Sequence, residues 1–337
     1  MLLRRPVEFV EVDAAVRTFA AEAADAVKQR LAAPALDIDD GDRLAFLREV
    51  EGGEDLWVVD VDGRNLQRLG GPYRALDWIE WSPDARNLAV SYDRRGINAI
   101  EIVSTDGSGG RRIAADMPAM SPSWRPPDGR QLLFRGQADG RWGFFLVDAD
   151  GREPVRRDID SDRLEGGGYD LHAPAWLPTG DRLAHHTLVR LPDSQLKTNG
   201  FRITVATIDV DGRVIDRAPL EFSAVADDEL NPVFTPDGTG LLYQQRMGWT
   251  PPDPASGVPT VDTLWLAPAD GKGPARSLGI ESRNGDGFSV VVAPDGKSLL
   301  VHLWREGEDW LVDPATATAT RTDLASSSGI TWQRKAP

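Results

Sequence analysis

Four histidines, His172, His185, His186 and His302, are the side chains of this sequence best suited to metal or proton chemistry. A neutral imidazole is a common metal ligand, and its charge changes near neutral pH. These four are widely spread, whereas metal ligands are usually clustered more tightly in sequence. The chain has no cysteine. Disulfides, thiolate nucleophiles and Cys-based zinc sites are therefore excluded, while the redox compartment stays open. Asp-x-Asp-Gly sequences at 60–63, 148–151 and 209–212 invite a calcium reading. They fail the EF-hand test, because no copy carries Glu at the twelfth loop position. A hairpin turn explains them better. No Gly-x-Ser-x-Gly elbow exists, and the glycine-rich stretch 107–110 lies in a turn, not between a strand and a helix.

The formal charge of −15 disfavours nucleic acid, whose phosphates need a basic surface. It favours solubility, and leaves room for cationic partners. No apolar run reaches the roughly 18 residues of a membrane span. The opening MLLRRPVEFVEVD has two arginines but no apolar stretch behind them, so as written it is not a signal peptide. A leader trimmed from an upstream start stays compatible, and the compartment stays open.

What must position any site is a repeat. One phrase recurs as WSPDARNLAV (81–90), WRPPDGRQLLF (124–134), WLPTGDRLAH (176–185), FTPDGTGLLY (234–243) and VAPDGKSLLV (292–301), with a weaker first copy at 37–46. A second phrase follows each copy: a β-rich run ending in a turn, as in LWVVDVDG (56–63) or FFLVDADG (144–151). Pro presets φ for the first turn, and Asp and Gly tolerate its geometry. Each pair of phrases reads as an antiparallel meander of strands A, B, C and D. Such a sheet is apolar on both faces and must be covered by neighbours, which is the propeller solution. The last segment, 329–334, is an A strand with no B strand after it; the first B strand, near Arg43, has no A strand before it. We expect the two to pair and close the ring, leaving no strand edge. The expected fold is all-β: a six-bladed propeller over 37–337, preceded by a 1–36 extension. In that extension Asp13 caps an amphipathic helix running to about Ala32.

The repeat resembles the PD40 (WD40-like) repeat of TolB, the tricorn protease and related bacterial propellers. The resemblance covers roughly 37–334 and implies the fold more than a role, because the family hosts many functions. TolB carries a sizeable α/β domain ahead of its propeller. Only about 36 residues precede the first blade here, so the membrane-bridging role of TolB is not carried over.

Aligning the B strands on their first leucine puts Leu47, Ser91, Arg135, His186, Gln244 and His302 in one row. His186, Gln244 and His302 then occupy equivalent places in successive blades, with His172 nearby. His and Gln near a propeller axis resemble the metal site of oligouronide-lyase propellers. That resemblance implies a divalent cation held by His172, His186, Gln244 and His302, in a carbohydrate-active enzyme. Those enzymes have seven blades, and an acidic face would repel a polyuronate. The alternative is a polar channel lining with no cofactor.

A–B and C–D turns share one face of a propeller, and B–C and D–A connections the other. The second set carries the long insertions, among them 158–170, 191–200, 221–230 and 246–262. Repeat proteins often bind through such a face. Met247 and Trp249, stiffened by Pro251 and Pro252, form an apolar anchor in a rim made acidic by Asp170, Asp227, Asp228 and Glu229. Trp78 and Arg135 complete the candidate binding set. We therefore expect a non-catalytic module that engages a protein or peptide through this face and the channel mouth, with the metal-dependent enzyme as the alternative.

Overall fold

The computed structural model describes residues 43–60, 64–149, 155–157, 174–190, 199–220, 228–247, 260–283, 287–303, 308–322 and 330–332. The expected helix 13–32 lies outside them. Among the described residues every regular element is a strand, and no helix is long and apolar enough to cross a membrane.

The strands form antiparallel sheets in a β-propeller arrangement. The first sheet contains β1 (Arg43–Val50), β2 (Gly53–Asp60), β3 (Gln67–Trp81), β4 (Asn87–Asp93), β5 (Asn98–Ser104) and β6 (Gly110–Ile113). Next come β7 (Ala119–Trp124), β8 (Gln131–Ala138), β9 (Arg141–Asp148) and β10 (Val155–Arg157). The third sheet is β11 (Ala175–Trp176), β12 (Arg182–Arg190), β13 (Asn199–Ile208) and β14 (Val214–Pro219). The fourth is β15 (Asp228–Phe234), β16 (Gly240–Met247), β17 (Val261–Pro268) and β18 (Arg276–Arg283). The last is β19 (Phe288–Val292), β20 (Leu299–Leu303), β21 (Glu308–Asp313) and β22 (Thr318–Thr322). The final strand, β23 (Ile330–Trp332), returns to pair with β1, giving the first sheet the order β23-β1-β2-β3-β4-β5-β6. Leu44 stands opposite Trp332 and Phe46 opposite Ile330, so the expected pairing of the two chain ends is present. Trp81 strengthens it by donating its indole N–H to the Thr331 carbonyl at 3.3 Å.

The strand β3 is shared. Its first half pairs with β2 and its second half with β4. One apolar cluster joins Ala45, Leu56 and Val58 from one end of this seven-stranded sheet to Leu88, Val90 and Val103 from the other, so the two ends pack on each other. The remaining clusters follow the same rule. Ile100 and Ile102 meet Trp124 and Phe134; Phe144 and Leu146 meet Trp176 and Leu183; Ile203 meets Phe234 and Tyr243; Leu264 and Leu278 meet Phe288 and Leu299. Alternation of side chains makes each sheet apolar on both sides, and the neighbouring sheet buries that surface.

Arginines fasten the seams on the tight-turn face. Arg43 lies over the Trp81 ring at 5.0 Å and donates to the Ala85 carbonyl at 2.6 Å. Arg125 lies over Trp176 at 5.2 Å and donates to Gly180 O at 2.8 Å and Asp209 O at 2.7 Å. Arg182 reaches Ala269 O at 3.1 Å, and Arg276 reaches Pro314 O. In each case a guanidinium from one repeat fills carbonyl acceptors in a turn of the next. Cation–π contact adds to the first two.

Aspartates of the tight turns are occupied by their own backbone. Asp84, Asp128, Asp237 and Asp295 each accept an N–H two residues on, at 2.9 to 3.1 Å. These are Asx turns, which agrees with the turn expected at the Pro-Asp of the first repeat phrase. Gly180 shows why a residue without Cβ is needed: its φ is +74°, and a Cβ there would lie 1.8 Å from the Pro126 carbonyl oxygen.

Ending the chain at residue 328 removes β23 and uncovers the outer edge of β1. We expect a lower denaturant midpoint, equivalent to about 2–3 kcal/mol from the lost ladder bonds, with concentration-dependent association through the open edge. Chemical denaturation and light scattering measure these, and an unchanged midpoint in a monomer would show that the pairing is dispensable.

Candidate functional site

The row expected on the B strands is present in the strand register. Trp332, Trp81, Trp124, Trp176, Phe234 and Val292 stand opposite Leu44, Leu88, Leu132, Leu183, Leu241 and Leu299. Three residues further along lie Leu47, Ser91, Arg135, His186, Gln244 and His302. They are not a solvent-lined ring: Leu47, Ser91, Arg135, His186 and Gln244 are all buried.

His186 and Gln244 are brought together by a residue that sequence reasoning missed. Asn231 sits at a β-bulge in β15 with φ of +52°. Its backbone N–H donates to His186 Nδ1 at 3.4 Å, and its side-chain amide donates to Gln244 Oε1 at 3.2 Å. Asparagine tolerates this left-handed conformation, and the bulge re-aims its amide. The Phe201 ring meets His186 edge-on at 5.2 Å. His302 instead pairs through Nδ1 with Asp309 Oδ1 at 2.8 Å, within its own sheet. His172 lies outside the described residues. Among the described residues no group of three or more His, Cys, Asp or Glu side chains converges to hold a metal ion.

His185 points to the opposite face of its strand and is fully buried. Its Nδ1 lies 3.3 Å from Thr187 Oγ1, and its ring meets Phe144 edge-on at 5.8 Å. Burial disfavours the imidazolium and pulls the pKa down to about 4; a hydrogen bond with the His186 backbone opposes this and the Arg217 charge adds to it.

The rim on the long-connection side differs from the acidic surface expected. Asp228 and Glu229 are 2% and 0% exposed. The strand β13 begins well before its pairing with β14, so among the described residues part of its outer edge has no strand beside it. Asp228 Oδ1 accepts the Phe201 N–H at 2.8 Å, and Glu229 Oε2 accepts the Ile203 N–H at 3.3 Å. Two carboxylates thus take the place of a strand, through hydrogen bonds strengthened by charge. Asp228 also stands opposite Arg246, which stands opposite Asp262. Arg246 grips the wholly buried Asp262 in a two-pronged pair, Nε–Oδ1 2.6 Å and Nη2–Oδ2 3.2 Å.

Of the other candidate binding residues, Arg135 is buried with its guanidinium 4.7 Å over the Trp142 ring. Trp78 stands opposite Ser91 and is half-buried, with its indole N–H 3.5 Å from Glu80 Oε2. Met247 is exposed at the end of β16. Trp249, Asp170 and Asp227 lie outside the described residues. The connections divide by face. Those between β7 and β8, or β13 and β14, are short; those on the other side run from residue 157 to 175, 190 to 199, 219 to 228 and 247 to 261.

No protein-family model matches the chain. Two curated relatives are similar over parts of it. The "Uncharacterized peptidase YuxL" of Bacillus subtilis is 26% identical over 221 residues, 62% of this chain and 28% of that protein. The "Membrane protein insertase YidC" of Methylorubrum extorquens is 30% identical over 172 residues, 47% of this chain and 26% of that protein. The matches thus span well under a third of the length of either relative. Among solved structures, TolB from Acinetobacter baumannii superposes with a TM-score of 0.64 at 17% identity, covering 99% of this chain and 75% of that one. The tricorn protease gives 0.55 at 11% identity, covering 86% and 30%. The chain has the fold of the TolB-type, WD40-like β-propellers.

Two expectations follow from the buried charges. Because the folded state holds His185 neutral, its contribution to stability is complete above pH 6.5 and is lost as pH falls from there towards 4, by roughly 3 kcal/mol in all. His185→Gln should flatten the dependence of the urea midpoint on pH across that window, and an unaltered slope would refute the assignment. Arg246→Met strands Asp262 as a buried carboxylate and should cost about 3–5 kcal/mol. Adding Asp262→Leu should restore much of the loss, as read in a double-mutant cycle by denaturation.

Proposed function

We propose that the chain is a non-catalytic binding scaffold: a six-bladed propeller over 37–337, behind a 1–36 extension, that engages a protein or peptide through the long-connection face and the channel mouth. The seven-stranded sheet counts as two blades in this reading. Its two ends pack face to face, and β3 serves as the last strand of one and the first of the other.

The observation that carries the reading is the one-sidedness of the connections. The long connections leave from one face, while the described turns of the opposite face are short and tied down by aspartates and arginines. A repeat fold free to vary on one face and constrained on the other is built for recognition on the free side. Asp228, Glu229 and the Arg246–Asp262 pair fasten the strand ends at which the connections 219–228 and 247–261 begin and end. Met247 is the exposed apolar residue at one such root, and Trp249 two residues on is the natural anchor. The likeness to TolB supports the scaffold and leaves the partner open. No resident cofactor belongs to this reading.

Replacing 248–259 with a short Gly-Ser link keeps the Arg246–Asp262 pair. We expect the denaturation midpoint to hold while partners recovered from a lysate of the source organism by the intact chain are lost, and Trp249→Ser to weaken the same recovery. Recovery that survives both changes would place the binding surface elsewhere.

A further inference from the structure

A basic cleft interrupts the surface of this acidic protein. It occupies about 280 Å³ between the β4–β5 hairpin tip and the turn that follows β6. Arg94, Arg95 and Arg112 stand around it, over an apolar floor that includes Ile97, Ile113 and Met117. All three arginines are exposed, and no described carboxylate lies within 4.0 Å of their nitrogens. The carboxylates closest in sequence are otherwise engaged or turned to water. Asp93 accepts the Gly96 N–H at 2.9 Å, and Asp116 is exposed. Glu101, opposite Arg112 in the β5–β6 ladder and within the field of Arg94, spends its carboxylate on hydrogen bonds from the Tyr73 and Tyr92 phenols.

Both walls are set in advance. Arg94 and Ile97 exchange two backbone hydrogen bonds, 2.8 and 3.2 Å, around Arg95 and Gly96 at φ of +59° and +84°. This is a two-residue hairpin turn, whose geometry is fixed by the twist of its strands. It leaves Ile97 55% exposed at the lip. Across the cleft the Met117 N–H donates to the Ala114 carbonyl at 3.1 Å and closes a second turn. Arg112 donates to Ala115 O at 3.5 Å, and among the described residues β6 is the last strand of its sheet, with no strand on its other edge.

We propose that this cleft binds an acidic peptide segment. Carboxylates of the segment engage Arg94, Arg95 and Arg112, an aliphatic side chain covers Ile97 and Met117, and the extended backbone runs along the edge of β6. A peptide fits better than a nucleic acid or an anionic membrane. Those present continuous negative charge, which a chain of net charge −15 repels beyond the cleft. The inference shares the scaffold reading above but uses a different blade, remote in sequence from 248–259, so the two can fail separately.

The test is fluorescence anisotropy of a labelled synthetic peptide in which Glu and Leu alternate, titrated with the full chain. Three further probes accompany it: a Gln/Leu peptide, a Glu/Ser peptide and heparin as a general polyanion. Saturable binding of the Glu/Leu peptide that weakens with salt is expected, with both peptide controls at least tenfold weaker. The variant Arg94→Ser/Arg95→Asn/Arg112→Ser should lose at least tenfold in affinity; Asn at 95 keeps the left-handed turn residue. Ile97→Ser should weaken the Glu/Leu peptide and leave the Glu/Ser peptide unchanged. Both variants should retain the denaturation midpoint, and the chain lacking 248–259 should bind the peptide normally. Absence of binding at millimolar protein, equal binding of the Gln/Leu peptide, or heparin binding that the peptide cannot displace would each overturn the proposal.

Discussion

Each sheet of this protein is apolar on two sides, and that constraint organises the rest. A four-stranded meander standing alone would expose one greasy surface whichever way it turned. The apolar clusters answer this by crossing seams: Ile102 with Phe134, Leu146 with Leu183, Ile203 with Tyr243, Leu278 with Leu299. Burial at roughly 25 cal/mol per Å² makes these seams the main source of cohesion. It also explains why the chain ends must meet. If β23 were unpaired, β1 would be both an open ladder edge and a poorly covered face, so the fold depends on its last described strand as much as on any interior one.

Apolar contact alone does not fix how adjacent sheets slide past each other. Directional bonds do that, and they differ at the two ends of the seam. On the tight-turn face the fastening is cationic: Arg43, Arg125, Arg182 and Arg276 donate to carbonyls of the following repeat. At the other end, between β13 and β15, it is anionic: Asp228 and Glu229 accept N–H groups from a strand edge that has outrun its partner. Backbone carbonyls exposed in turns call for donors, and backbone amides exposed on an edge call for acceptors. The sign of the charge at each place follows from which backbone group was left over.

That logic marks where sequence reading succeeds and where it stops. The strand order within the described repeats, the Asp-Gly turn at 209–212, the return of the C-terminal strand and the register of the row from Leu47 to His302 were legible. They follow from local turn chemistry and a period of two. The fate of individual polar residues was not. Asp228 and Glu229 sit in a loop-like acidic stretch and read as a solvated rim, yet both are buried, because the groups that need them belong to β13 across the seam. Arg135 reads as a binding residue and is a buried stacking partner of Trp142. Asn231 carried no signal in isolation; only the bulge in β15 places it between His186 and Gln244. A usable hint did exist, since Arg246 and Asp262 face each other once β16 and β17 are aligned on their leucines. The three-arginine cleft was hidden by averaging: a net charge describes the whole molecule and not one hairpin tip.

The same distinction bears on how this molecule recognises anything. A buried ion pair such as Arg246–Asp262 contributes little net stability compared with apolar residues of the same shape, but it holds one geometry and penalises others. It ties β16 to β17 one residue pair from the end of their ladder. The turn at Arg95 and Gly96 does the equivalent at the other candidate surface without any charge pair, because a two-residue hairpin has almost no conformational freedom to lose. Binding free energy is reduced by whatever ordering must occur on contact. What the structure sets in advance is register: the ladders of β16 with β17 and of β4 with β5 fix the strand ends from which both candidate surfaces start.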